Sequence, residues 1–206
     1  MPEQAPGATL SQSFPQASAA AIARLEAYVA LLAKWAKVHN LVGARGPAAI
    51  LNLVRDCRPL LQRARELPGP ACDLGAGAGL PGLPLALLQP RRPVALVEAE
   101  ASKCAFLQQA VIELGVRNAA VVHARVEQWR PAKPPRLLCV RGLARLAAVA
   151  RLARRFTAPG VRLLALKARE PAAEIAELEQ LGGWRLVACG PADGRPSRHL
   201  VEAEAT

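Results

Sequence analysis

The chain has 206 residues, of which 52% are apolar and only 3% are aromatic. An apolar fraction of this size excludes an intrinsically disordered chain, and the length is that of one domain with at most a short appendage. There are 27 basic and 16 acidic residues, and the resulting net charge of +11 indicates a polyanionic partner. The scarcity of aromatic residues disfavours the RNA-binding domains that stack bases on aromatic platforms.

The five cysteines are widely spaced, form no C-x-x-C pair and stand in apolar settings. This pattern indicates buried, reduced thiols and predicts a cytoplasmic protein. The three histidines lack metal-ligand spacing, so we expect no metal site. We also expect neither a signal peptide nor a membrane span, because no basic start or long apolar run is present.

The N-terminal part of the sequence predicts helices. Residues 1–16 are rich in Pro, Gln, Ser and Ala, and we expect them to form a flexible arm. Apolar residues at helical spacing then predict a helix at about 18–38. A second helix is predicted at about 47–65, since Pro47 opens it and Pro68 follows its end.

From residue 70 onwards, short apolar runs alternate with stretches of helical periodicity. This alternation predicts an α/β fold whose mostly parallel sheet is covered by helices on both faces. The predicted strands are 71–75, 93–98, 119–124, 136–140 and 161–167. The clearest predicted helices are 101–114, 143–153 and around 175–181. Two last strands, 184–190 and 198–205, predict a terminal antiparallel hairpin around a polar loop.

These elements together predict a single domain over residues 17–206. A helical cap would occupy residues 17–66, and a Rossmann-like core would occupy residues 67–206. No internal repeat or interdomain linker is visible in the sequence.

The strongest functional signal is the segment DLGAGAGLPG at 73–82, which follows a predicted strand and precedes a helix. Glycines let the backbone turn tightly and approach a ligand closely, and the first turn of a helix offers unpaired N–H groups. Glu98 ends the next predicted strand, where a carboxylate can accept hydrogen bonds from both hydroxyls of a ribose. The sequence therefore predicts a nucleoside-containing ligand bound by Gly75, Gly77, Gly79 and Glu98.

Two classes of ligand fit this loop. Gly77-x-Gly79-x-x-Gly82 matches the dinucleotide fingerprint G-x-G-x-x-G, which leaves an NAD-dependent oxidoreductase open. However, the chain has little length for a substrate domain and no Tyr-x-x-x-Lys pair. An acid two residues before the first of three alternate glycines is instead typical of S-adenosylmethionine-dependent methyltransferases, whose sheet also ends in an antiparallel strand.

Several segments between about residue 20 and residue 203 carry a more specific resemblance. They are LAKWAKVHNLVGARGP (32–47), DLGAGAGLPGLPLALLQP (73–90), the FL-x-x-x-x-x-x-LG spacing of 106–115, ARVEQW (124–129), LALK (164–167) and RHLV (198–201). On these segments the chain resembles the ribosomal RNA small subunit methyltransferase G family, also called glucose-inhibited division protein B. The resemblance implies methyl transfer from S-adenosyl-L-methionine to N7 of a guanine in 16S ribosomal RNA, with the RNA or the small ribosomal subunit as partner.

The resemblance also implies roles for the cofactor-binding residues. Gly75 and Leu80 would hold the methionine part of the cofactor, and Val126 with Glu127 would lie beside its adenine. Glu98 takes the place of the ribose-binding acid, which is usually Asp in this family.

The resemblance matches Arg141 to a cofactor-site arginine, which would anchor the methionine carboxylate or the O6 edge of the guanine. Lys167 ends a predicted strand at the sheet edge that binds ligands, so it is a candidate contact for RNA phosphate. Arg198 and His199 are candidates for the same role.

Guanine N7 carries a lone pair and no proton, so we expect no catalytic general base.

Two of the positions that depart from the family pattern lie in predicted helices. Leu53 stands where a histidine is usual, three residues before Asp56, and Ser102 replaces one of two basic residues. Both departures concern the RNA face or helix packing and leave the cofactor loop intact.

Two alternatives to an rRNA methyltransferase stay open. One is a non-catalytic RNA-binding or ribosome-associated protein on this fold, and the other is the NAD-dependent oxidoreductase.

Overall fold

The computed structural model describes residues 9–44, 46–193 and 195–206. Its helices are α1 (Leu10–Ser13), α2 (Ala19–Trp35), α3 (Pro47–Asp56), α4 (Arg58–Glu66), α5 (Gly82–Leu88), α6 (Ala101–Glu113), α7 (Leu146–Ala153) and α8 (Ala172–Leu181). Its strands are β1 (Ala71–Leu74), β2 (Val94–Glu98), β3 (Ala119–His123), β4 (Leu137–Arg141), β5 (Arg162–Lys167), β6 (Trp184–Ala192) and β7 (Arg195–Ala205).

In the described part of the chain, seven strands form one sheet in the order β3-β2-β1-β4-β5-β7-β6. Strands β1 to β5 pair in parallel, whereas β7 runs antiparallel to both β5 and β6. The chain builds outward from β1 to β3 and then returns to place β4 on the other side of β1. The connections after β1 and β4 therefore diverge, and a crevice opens at the carboxyl ends of these strands. The predicted Rossmann-like class with a terminal antiparallel hairpin is confirmed.

The sheet buries both of its faces. Along β4, Leu137 and Cys139 point into one apolar cluster, and Leu138 and Val140 point into the other, as the alternation of a strand requires. The first cluster also contains the apolar stripes of α2, α3 and α4, so the N-terminal helices pack on that face. The second cluster lies under α7 and α8.

The prediction of a flexible N-terminal arm is wrong for residues 9–16. Thr9 caps α1, since its side chain accepts a hydrogen bond from the Gln12 N–H, and the Gln12 side chain accepts one from the Thr9 N–H. Leu10 and Phe14 are buried in the first apolar cluster. Burial of these two side chains anchors a segment whose overall composition is polar. Residues 1–8 lie outside the described residues.

The single helix predicted at 47–65 is two helices, α3 and α4, separated at Cys57. Pro59 explains the break, because proline has no N–H to donate and its ring clashes with the carbonyl four residues earlier. The Cys57 N–H bonds to the Val54 carbonyl at 3.1 Å, which tightens the last turn of α3. As a result Asp56 is the last residue of α3.

The hairpin strands extend into the loop predicted at 191–197. Strand β6 continues to Ala192 and β7 begins at Arg195, while Gly194 lies outside the described residues. Asp193 adopts a left-handed φ of 56°, and its carboxylate accepts hydrogen bonds from the Arg58 guanidinium at 2.6 and 3.0 Å. The hairpin tip is therefore fastened to α4.

Four of the five cysteines are buried as predicted, but Cys189 is exposed. It lies on β6, which is an edge strand of the sheet.

Within the described ranges, no helix is both long and apolar enough to cross a membrane.

Candidate functional site

The glycine loop follows β1 at the crevice, and its three alternate glycines differ in what surrounds them. All three have left-handed φ angles, of 69° at Gly75, 57° at Gly77 and 91° at Gly79. A Cβ on Gly75 would come within 2.6 Å of Leu143, and one on Gly79 within 2.6 Å of Leu83. A Cβ on Gly77 would meet nothing closer than 3.9 Å. Protein packing therefore explains two of the glycines, and the space over Gly77 is left open.

Glu98 closes the other side of this space. Its side chain is buried, and one carboxylate oxygen accepts the Gly77 N–H at 2.8 Å. The other oxygen accepts the N–H groups of Ala99 and Glu100, each at 2.8 Å. These bonds fix the carboxylate at the end of β2, beside the loop, as predicted from the spacing. These bonds use three of the roughly four acceptor positions of the carboxylate, so Glu98 keeps about one, on Oε2, for a ligand hydroxyl.

Asp73 lies beneath the loop and was predicted only as part of its motif, without a role. Its Oδ2 accepts the Gly82 N–H at 2.8 Å, which fixes the start of α5. Its Oδ1 is buried and has no hydrogen-bond partner among the described residues. Burial raises the pKa of Asp73 to about 7, although the Gly82 N–H and the charge of Arg141 both favour the carboxylate.

Tyr28 connects the N-terminal helices to the loop, a contact that the sequence analysis did not find. Its side chain is fully buried, and its hydroxyl donates to the Ala78 carbonyl at 2.6 Å. Its ring lies against Phe106 with centroids 6.5 Å apart. No local sequence signal could reveal this bond, because it joins α2 to a loop distant along the chain.

The remaining predicted cofactor residues lie around the same edge of the sheet. Leu80 is buried in the first apolar cluster, and the Leu80–Pro81 peptide bond is cis. Val126 is buried in the turn after β3, and Glu127 beside it is exposed. These residues follow strands β1 and β3, which flank β2 on its two sides, and β2 carries Glu98 at its end.

Arg141 ends β4 and lies on the other side of the crevice. Burial raises the pKa values of Tyr28, Cys57 and Asp73, and the positive charge of Arg141 opposes part of each rise. The guanidinium therefore lies near all three buried groups. Arg141 also lines a cavity of about 470 Å³ at the carboxyl ends of β4 and β5, which we call the β4/β5 cavity. This volume is in the range of small-ligand pockets.

The β4/β5 cavity has a charged lining. Its charged residues are Arg141, Lys167, Arg169, Arg198, Asp56 and Glu174. Two ion pairs cross it, between Lys167 and Glu174 and between Arg198 and Asp56, each at 2.7 Å. The four cations against two carboxylates make the lining basic. The cavity therefore contains two of the three predicted RNA contacts, Lys167 and Arg198, next to Arg141.

The third predicted RNA contact, His199, is placed differently. Side chains alternate along β7, so His199 faces away from Arg198 and does not line the β4/β5 cavity. It is buried, and its Nε2 lies 2.9 Å from the Glu170 carboxylate. The roles proposed for these residues in binding RNA remain predictions.

Comparison with known proteins identifies the family. The model of the family described as rRNA small subunit methyltransferase G matches residues 21–183. The chain belongs to this family.

Relatives within the rRNA small subunit methyltransferase G family cover most of the chain. The protein of that name from Nitrosospira multiformis is 39% identical over 84% of this chain and 82% of its own. Its namesake from Alkalilimnicola ehrlichii is 34% identical over 93% of this chain and 86% of its own.

Solved structures support the fold at low sequence identity. The glycopeptide N-methyltransferase MtfA complexed with S-adenosyl-L-homocysteine aligns with a TM-score of 0.62 and 17% identity, over 74% of this chain and 90% of its own. Fibrillarin from Aeropyrum pernix, with natively bound S-adenosyl-L-methionine, aligns with a TM-score of 0.55 and 21% identity, over 66% of each chain.

Among the described residues, no group of three or more potential metal ligands is found.

Proposed function

We propose that this protein transfers a methyl group from S-adenosyl-L-methionine to N7 of a guanine in 16S ribosomal RNA. The observation that carries the proposal is the open space over Gly77, bounded by the buried Glu98 carboxylate at the switch point of the sheet. Membership of the rRNA small subunit methyltransferase G family supports the reaction. Because ribosomal RNA is the substrate, we place the activity in the cytoplasm.

The cofactor would lie across the carboxyl ends of β1, β2 and β3. Glu98 would accept a hydrogen bond from a ribose hydroxyl at its remaining Oε2 position, and Val126 with Glu127 would border the adenine. The backbone of Gly75, Gly77, Gly79 and Leu80 would bind the methionine part. The methyl group would then face β4, where Arg141 and the β4/β5 cavity lie.

The transfer needs alignment rather than proton removal. The cofactor would supply a methyl group on a sulfonium, and the lone pair of guanine N7 would take that methyl as the carbon–sulfur bond breaks, so no proton would have to leave N7. Holding the two reacting atoms in line lowers the barrier, because the entropy of approach is lost on binding rather than in the transition state. Arg141 is placed to orient either the methionine carboxylate or the guanine O6.

The small-subunit RNA, free or assembled into the subunit, is the proposed partner. The net charge of +11 and the cations of the β4/β5 cavity would neutralise RNA phosphates. Lys167 and Arg198 already form ion pairs with Glu174 and Asp56. Each cation would contact RNA phosphate either while it keeps its ion pair or after it gives the pair up. His199 is the least accessible of the three predicted contacts.

Calorimetric titration tests the cofactor site. We expect micromolar binding of S-adenosylmethionine and S-adenosylhomocysteine, and no binding of NAD. Gly77→Val should abolish binding, because the new side chain fills the space over the loop. The matched control is Gly160→Val. Gly160 has a similar left-handed φ of 83° and open surroundings, but it precedes β5 and so lies at the amino end of that strand, away from the crevice.

Both substitutions impose a strain of about 1–3 kcal/mol on a left-handed backbone, so they should lower stability alike. Only Gly77→Val should lose the cofactor. If Gly77→Val binds S-adenosylmethionine as tightly as the unmodified protein and Gly160→Val do, the cofactor site lies elsewhere. Binding of NAD would support the oxidoreductase alternative instead.

A further inference from the structure

Asp56 is a buried carboxylate in the wall of a basic cavity. It is 5% exposed, it lines the β4/β5 cavity, and its Oδ2 lies 2.7 Å from the Arg198 guanidinium. Across the same cavity, Arg141 ends β4. The cavity thus combines a hydrogen-bond acceptor that carries negative charge with donors that carry positive charge.

The position of Asp56 is unfavourable for the stability of its own helix. It is the last residue of α3, where the partial negative charge of the helix end repels an acid. Burial adds a desolvation cost, and the ion pair with Arg198 acts against it. A residue that costs stability at a cavity wall is a candidate for recognition of a ligand.

The chemistry of the wall separates possible ligands. A pocket built for phosphate alone would exclude a carboxylate, because the two negative charges repel each other. A guanine base, by contrast, presents N–H donors at N1 and at the exocyclic 2-amino group, and an acceptor at O6. A carboxylate accepts from the two donors, and an arginine donates to the oxygen.

We propose that Asp56 selects guanine by accepting hydrogen bonds from N1–H and the 2-amino group of the target base in the β4/β5 cavity. Enzymes that modify a base take it out of the stack and recognise its Watson–Crick edge, which this geometry provides. Adenine is rejected because its N1 lone pair would face the carboxylate. Arg198 positions the carboxylate through their ion pair. The inference rests on the proposed function and identifies the residue that gives it base specificity.

The test compares bases as well as variants. The methylated guanine is first located in deproteinised small-subunit RNA, and RNA is then prepared by ligation with inosine at that position alone. Inosine keeps N7, O6 and N1–H but lacks the 2-amino group. For the unmodified protein we expect kcat/KM to be about tenfold or more higher on guanine than on inosine, as for one hydrogen bond to a charged acceptor.

Asp56→Asn should bring this ratio to within about threefold of one, since a neutral amide accepts the 2-amino group less strongly. The matched control is Asp193→Asn, which alters another carboxylate that pairs the hairpin with the α3–α4 region but does not line the cavity. The control should keep the full preference. A merely structural role of Asp56 would lower both rates equally and leave the ratio unchanged.

A second measurement needs no variant, and it applies if Asp56→Asn fails to fold. RNA with N1-methylguanine at the target also loses a donor to Asp56, so the unmodified protein should methylate it at least about tenfold less efficiently. A preserved preference in Asp56→Asn, or equal rates on all three bases, would overturn the inference while leaving methyl transfer intact. Failure to methylate any RNA would refute the proposed function, and the inference with it.

Discussion

At the scale of single residues, Asp73 fixes the end of the glycine loop but does so with a carboxylate whose burial costs stability. It fixes the first amide of α5, yet its second oxygen is buried without a partner among the described residues. The pKa of about 7 lies well above the roughly 3.9 of an unfolded aspartate. Between these values the folded protein keeps a proton that the unfolded chain has released. The stability contributed by this proton is complete below about pH 4 and is lost as the pH rises through about 7.

Asp73→Asn tests this assignment. The asparagine oxygen can still accept the Gly82 N–H, but the side chain no longer titrates. Between pH 5 and pH 8, the free energy of unfolding of the unmodified protein should therefore fall relative to the variant by about 1–3 kcal/mol. Urea denaturation at both pH values measures the difference. Parallel pH dependences in the two proteins would show that Asp73 is already ionised at pH 5.

The sequence predicted the positions of the loop glycines and Glu98, because turn formation and strand ends leave local signals. It could not show which glycine leaves room for a ligand, since that depends on Leu143 and Leu83 packing against the other two. Asp56 was also out of reach as a site residue. Its partner Arg198 lies at the far end of the chain, and spacing within a helix does not reveal such a pair.

At the scale of elements, a buried ion-pair network joins the N-terminal helices to the sheet. Glu202 of β7 is 3% exposed and accepts two hydrogen bonds from Arg63 of α4, at 2.6 and 2.9 Å. It also pairs with Arg162 of β5. Burial alone would raise the pKa of Glu202, but the hydrogen bonds from Arg63 and Arg162 outweigh it and lower the pKa. The network therefore holds α4 on the sheet in a charge-dependent way.

Glu202→Gln should lower the free energy of unfolding by more than about 1 kcal/mol at pH 7, because two guanidinium groups lose their anion. Since the folded pKa of Glu202 is depressed, its contribution is present above the unfolded value near 4.3 and is lost as the pH falls through the lower folded value. Denaturation at pH 7 and at acid pH should show the gap between the variant and the unmodified protein closing.

The control for this network is Glu66→Gln. Glu66 also pairs with Arg63, but its side chain is 67% exposed, and exposed pairs contribute little. We expect a change in unfolding free energy below about 0.5 kcal/mol at either pH. A loss as large as that of Glu202→Gln would contradict the role of burial in the network.

Helix and strand positions were predicted well where periodicity and glycine caps are local. The break between α3 and α4 was missed, although Pro59 lies within the predicted helix. The docking of α1 was missed because composition outweighed the two apolar side chains, Leu10 and Phe14. The length of the hairpin was also underestimated, since pairing with β7 extends β6 beyond its own apolar residues.

At the scale of the whole molecule, alternation of strands and helices was enough to predict the class of fold. The placement of α2, α3 and α4 on one face of the sheet required long-range contacts that the sequence does not display. That placement has a functional consequence. It sets Tyr28 against the glycine loop and Asp56 against β4 and β7, so the N-terminal helices contribute to both the cofactor crevice and the β4/β5 cavity.

The most direct test of the central claim is a methyl-transfer assay with mapping of the product. The protein is incubated with S-adenosylmethionine carrying a labelled methyl group, together with either deproteinised small-subunit RNA or small ribosomal subunits. The RNA is then cleaved chemically at N7-methylguanine. We predict label in the RNA and one strand break at a single guanine, both absent with Gly77→Val. Label on a base carbon, an exocyclic amine or a ribose 2′-OH would contradict the N7 assignment, and RNA without label would contradict the account as a whole.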